Sequence, residues 1–108
     1  SISLFPLSSE DLRKALLEID PSLLNSSVSE LFELQSAITE KRSNDVDSMI
    51  RKMKERFDAL AIFHVLVGYS FYDRKDLRSA RSSFVRALTL DPKNSEARSM
   101  LSILGGSK

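Results

Sequence analysis

Apolar and small residues in the second half of the chain fall at helical intervals, in two runs. Val67, Gly68 and Phe71 are spaced by one and three, and Leu77, Ala80, Phe84, Ala87 and Leu88 mostly by three and four. This spacing predicts two amphipathic helices, each with one buried stripe. Between them the polar run Asp73, Arg74, Lys75, Asp76 has the length of a short interhelical turn. Pro92 ends the second helix, because the residue before a proline is pushed out of the helical region. Gly68 and Ala80 lack bulk, so the two helices can approach closely while Phe71 and Phe84 fill the space beside them. That packing outweighs the roughly 1 kcal/mol a mid-helix glycine costs.

Upstream the pattern is weaker. Ser1–Leu7 is irregular, with Pro6 ending any early regular structure; Ser8 or Ser9 then caps a short helix with Leu12, Ala15, Leu16 and Ile19 inward. Asp20-Pro21 breaks that helix, and Leu23 and Leu24 belong to the connection after it. Ser27 reads as the next N-cap, in a capping box with Glu30. Leu31, Leu34 and Ile38 form the stripe, with Phe32 and Ala37 on neighbouring faces. Lys41–Asn44 is the turn, Asn44 or Asp45 starts another helix, and Val46, Met49, Ile50, Met53 and Phe57 line it. Past Pro92, Asn94 or Ser95 caps a last helix with Ala97, Leu101 and Leu104 inward and Glu96, Arg98, Ser99 and Ser102 outward, ended by Gly105-Gly106.

The segment from Ala61 to Asn94 is 34 residues long. Within it Val67, Gly68, Phe71, Ala80, Phe84, Ala87 and Pro92 stand at the spacing of a tetratricopeptide repeat, and only the first aromatic of that pattern is replaced, by His64. The segment resembles such a repeat over about a third of the chain. Residues 28–57, laid on it with an offset of 31, look like a degenerate copy, with Leu34 on Val65, Ile38 on Tyr69, Met49 on Ala80 and Met53 on Phe84. The resemblance also favours a break at Phe57–Leu60, where Asp58 would cap the next helix with Phe57 and Ile62 as a hydrophobic staple. The rival is one long helix, because the helical periodicity runs unbroken from Val46 to Phe71.

The expected fold is therefore all-α, a tetratricopeptide-like array of antiparallel helix hairpins in a right-handed superhelix of five or six helices. It would form one domain: an N-terminal arm and helix (1–26), a degenerate repeat (27–58), the clear repeat (61–94) and a capping helix (95–105). Such an array needs a terminal helix that is polar outside. The resemblance implies that the first helix of the clear repeat lines a concave, protein-binding groove through Ile62, Val65, Tyr69, Tyr72 and Asp73. Many relatives of this kind clamp a peptide carboxylate with a lysine and an asparagine where this chain has Val65 and Tyr69. An apolar peptide or amphipathic helix suits the strip better, unless Leu4, Phe5 and Leu7 fold back into it.

Composition narrows the classes. With 108 residues, 42% hydrophobic and 29% charged, the chain is ordinary globular material. The absence of cysteine excludes disulfides and thiolate chemistry and fits a reducing, cytoplasmic setting. No apolar run is long enough to span a bilayer, although an anchor or further repeats could lie beyond the termini. The net charge of +1 hides an asymmetry: residues 1–50 carry four basic and nine acidic side chains, and residues 51–108 twelve and six. Solvated helix faces account for this most simply, with a basic surface for an acidic partner as the sharper reading. The pI of about 8.0 argues against nucleic acid.

Catalytic chemistry finds little support. His64 is the only histidine, it sits on a helix stripe, and no serine occupies a strained Gly-x-Ser-x-Gly turn. Asp45 and Asp47 lie two apart and face apart on a helix, and no calcium loop or Gly-rich phosphate loop is present. Asn25-Ser26-Ser27 matches a glycosylation acceptor but is better explained by Ser27 as a cap. The basic runs at Arg51–Arg56 and Arg78–Arg81 read as solvated faces. No enzyme activity, cofactor, metal or small-molecule substrate is expected. The expected role is a protein-binding adaptor; the alternatives are a small assembly or secretion-type chaperone for a helical client, and a membrane-tethered recruitment adaptor.

Overall fold

A computed structural model describes residues 24–105. Among these residues five helices follow one another: α1 (Leu24–Thr39), α2 (Ser43–Phe57), α3 (Ala61–Asp73), α4 (Leu77–Leu90) and α5 (Ser95–Gly105). The described residues are all-α, as the periodicity implies. The expected arm at Ser1–Leu7 and the helix bearing Leu12–Ile19 lie outside them. The chain forms two compact units that divide between Lys52 and Met53, inside α2.

In the first unit, Leu31, Leu34, Ala37, Ile38 and Val46 are buried, together with Gln35, which the apolar pattern does not mark. Two boundaries differ from expectation. Helix α1 starts at Leu24, so Ser27 lies within it and is not its N-cap, and Leu24 is helical and not part of a connection. Helix α2 starts at Ser43, ahead of Asn44 and Asp45, because the turn is tighter than its polar composition suggests. Lys41 takes a left-handed conformation (φ 62°). The amide of Arg42 then donates to the Ala37 carbonyl at 3.0 Å and that of Lys41 to Ile38 at 3.1 Å, a Schellman closure of α1. Arg42 also spans Glu40 and Asp45, at 2.9 and 2.8 Å; with all three side chains exposed, this contributes little stability.

The second unit centres on α3. Its sequence carries no charge before Asp73, and every residue from Ala61 to Ser70 is buried. One buried stripe is expected of this helix; instead it is apolar on all faces and is covered on all of them. α3 packs against α4, and α4 against α5. Across the first contact, a Cβ placed on Gly68 would lie 2.7 Å from Phe84 Cζ, so the missing side chain is what lets the Phe84 ring in. Ala80, Phe84 and Ala87 form the buried stripe of α4, as expected.

The break at Phe57–Leu60 is present, and the single long helix is not. Its capping differs from expectation, because the N-cap of α3 is the extended Leu60, with no side-chain bond, and not Asp58. The Asp58 side chain instead receives Arg86 Nη2 at 3.3 Å. Phe57 meets the ring of Phe63, with centroids 6.1 Å apart. At the far end α4 stops at Leu90, and Asp91 is extended (φ −142°) as a residue before proline must be. Asn94 caps α5 by accepting from the Ala97 amide at 2.8 Å. Ala97 and Met100 are the buried residues of α5; Leu101 and Leu104, expected inward, are half-buried.

Candidate functional site

The end of α3 is held by hydrogen bonds that leave its last side chains in solvent. Lys75 is left-handed (φ 69°). The Asp76 amide donates to the Phe71 carbonyl at 2.9 Å and the Lys75 amide to Tyr72 at 3.0 Å, another Schellman closure. Asp76 then caps α4 by accepting from the Ser79 amide at 3.3 Å. Arg74 reaches back to the buried Ser70 hydroxyl at 3.0 Å and lies 5.7 Å from the Phe71 ring centroid. The result is a hydrogen-bonded turn on which Tyr72 (40% exposed), Asp73 and Leu77 (50% exposed) stand clear of the core.

Of the five residues expected in a groove, only Tyr72 and Asp73 reach solvent. Ile62, Val65 and Tyr69 are buried, because α3 is covered on all faces. Tyr69 joins helices instead. Its ring meets Phe84 edge-on at 5.4 Å, and its hydroxyl donates to Glu96 Oε1 on α5 at 3.3 Å. Burial, reinforced by the Glu96 charge and hydrogen bond, pushes the Tyr69 hydroxyl pKa well above its ordinary value. The solvent-facing surface at this end is thus shorter than expected and includes Leu77, which the apolar pattern assigns to the buried stripe of α4.

His64 is nearly buried. Its Nε2 lies 2.7 Å from the Asp58 carbonyl oxygen and 3.5 Å from Asp58 Oδ1, so Nε2 donates and carries the proton. This bond ties α3 to the preceding junction. Among the described residues no three His, Asp or Glu side chains gather as a metal site, and no helix is long and apolar enough to cross a membrane.

The helix boundaries recur. Lys41 and Lys75, the two left-handed non-glycine residues among those described, are 34 positions apart. The starts of α2 and α4, at Ser43 and Leu77, are 34 apart, as are the starts of α3 and α5, at Ala61 and Ser95. These structural intervals are 34, three more than the offset of 31 between the two halves of the sequence. At an interval of 34, Leu34 falls on Gly68, Ile38 on Tyr72, Val46 on Ala80 and Ile50 on Phe84. An offset of 31 instead sets Leu34 on Val65, Ile38 on Tyr69 and Met53 on Phe84, large residues on large ones, although Met49 falls on Ala80. Compared with protein-family models, curated proteins and solved structures, the chain has no match.

Proposed function

We propose that the chain is a non-catalytic protein-binding adaptor of the tetratricopeptide type, which takes a peptide or helix of a cytoplasmic partner and needs no cofactor. The observation that carries this reading is the 34-residue recurrence of helix starts and Schellman turns, the period of such repeats. The close Gly68–Phe84 contact supports it. The contact surface is assigned to Tyr72, Asp73 and Leu77. An exposed aromatic and a leucine on a fixed turn supply area at small entropic cost, and the adjacent acid orients a polar partner group.

Selection of a displayed peptide library on the immobilised chain tests the proposal. Enriched peptides should bind the native chain, lose about tenfold or more in affinity with Tyr72→Ala, as expected of a central aromatic contact, and be unaffected by Lys54→Ala on α2. Absence of enrichment, or binding indifferent to both Tyr72→Ala and Leu77→Ala, would refute it.

A further inference from the structure

Two exposed helix faces carry side chains of similar kind at the same spacing and oppose each other in charge. On α1 the residues facing solvent at helical spacing are Ser29, Phe32, Glu33 and, partly, Ser36, and this helix contains no basic residue. On α4 the same spacing presents Arg78, Arg81, Ser82 and Val85, and this helix contains no acidic residue. Phe32 is 42% exposed and Val85 46%. Glu33, Arg78 and Arg81 make no salt bridge or hydrogen bond among the described residues. Arg86, by contrast, is engaged by Asp58.

We infer that the chain associates with a second copy of itself, the α1 face of one copy docking on the α4 face of the other. Residues three and four apart on a helix are neighbours, so each face is one continuous strip. An apolar side chain lies in each strip, a charge flanks it, and a serine beside it lets the partner backbone approach. Phe32 is the anchor: it is the aromatic side chain of the two strips, and it meets Val85 while Glu33 falls against Arg78 and Arg81. The charge asymmetry of the whole chain, acidic before residue 51 and basic after it, steers approach in the same sense. A second copy is favoured over a foreign acidic helix because the chain itself supplies both complementary strips. Helix-on-helix contact of this size falls below the roughly 1,200 Å² of stable interfaces, so association is weak and sensitive to salt.

Sedimentation velocity across a wide concentration series tests this, with circular dichroism confirming that each variant stays folded. The native chain should move from monomer to larger species as concentration rises, and return to monomer when salt is raised from about 0.05 to about 0.5 M, where the Debye length shrinks severalfold. Arg78→Glu with Arg81→Glu should weaken association about tenfold or more, as should Glu33→Arg, because each places like charges opposite one another. Mixing the two variants should restore association, since each then offers the strip the other lacks. A native chain that stays monomeric throughout overturns the inference, even if it binds a foreign acidic peptide. So does undiminished association of the Arg78→Glu, Arg81→Glu chain, or a mixture that fails to recover.

Discussion

Gly68→Ala is the most informative single change in the hairpin, because two well-understood effects oppose each other there. In an open helix interior the substitution stabilises by about 1 kcal/mol through helix propensity. Here the new methyl would sit 2.7, 2.8 and 2.9 Å from Phe84 Cζ, Cε1 and Cε2. That is about 1 Å inside comfortable carbon–carbon contact. Phe84 is fully buried and has the Tyr69 ring edge against it, so it cannot swing aside freely. Overpacking of this kind costs about 1–3 kcal/mol, and contact with three ring atoms puts the cost in the upper part of that range. The net expectation is destabilisation by about 1–2 kcal/mol, or a fall in Tm of about 5–10 °C for a domain of this size. Chemical and thermal unfolding followed by circular dichroism, at concentrations low enough to keep the chain monomeric, would measure it. Phe84→Leu should relieve the clash, so a double-mutant cycle should show favourable coupling between the two changes. If Gly68→Ala alone raises stability by about 1 kcal/mol, as at an unhindered position, the close-packed hairpin is wrong.

Lys75→Gly should stabilise by up to about 1 kcal/mol in denaturant titration, because the left-handed residue of a Schellman turn suits glycine and strains a side chain. Asn94→Ala should cost about 1 kcal/mol through loss of the bond to the Ala97 amide, whereas Asn94→Ser should lose much less. Tyr69 sets an alkaline limit. Its folded pKa lies above the ordinary 10.0, so the folded state holds the proton more tightly; this contribution is fully present below about pH 10 and is lost as pH rises through the folded value. In a Tyr72→Phe chain, where Tyr69 is the only tyrosine left, phenolate absorbance should appear only together with loss of helical signal; ionisation in the folded chain at its ordinary pH would show that the hydroxyl is not buried against Glu96.

Helix, turn and break are legible in the chain because their causes are local. Pro92 excludes helix at Asp91, the Asp73–Asp76 run cannot continue an apolar stripe, and Gly68 with Ala80 marks the close approach that the Phe84 ring completes. Even the break at Phe57–Leu60, where no glycine or proline stands, is favoured by the resemblance of the segment after it to a repeat. Other features depend on tertiary surroundings. Nothing local says that lysine will take the left-handed position at both Lys41 and Lys75; the strain is accepted because each turn pairs the carbonyls that end its helix. The 34-residue interval of the helix starts is not visible in residue type, because Leu34 and Val46 stand where Gly68 and Ala80 stand 34 positions on. Asp58 carries a capping side chain, yet the helix starts two residues later than it could cap, and its carboxylate meets Arg86, 28 residues on. A strip such as Ile62, Val65 and Tyr69 reads equally well as a groove or as a core face. Periodicity reports which residues share a side of a helix, whereas burial depends on what packs there, and here the neighbours of α3 cover every side up to Ser70 and leave Tyr72 and Asp73 to the solvent.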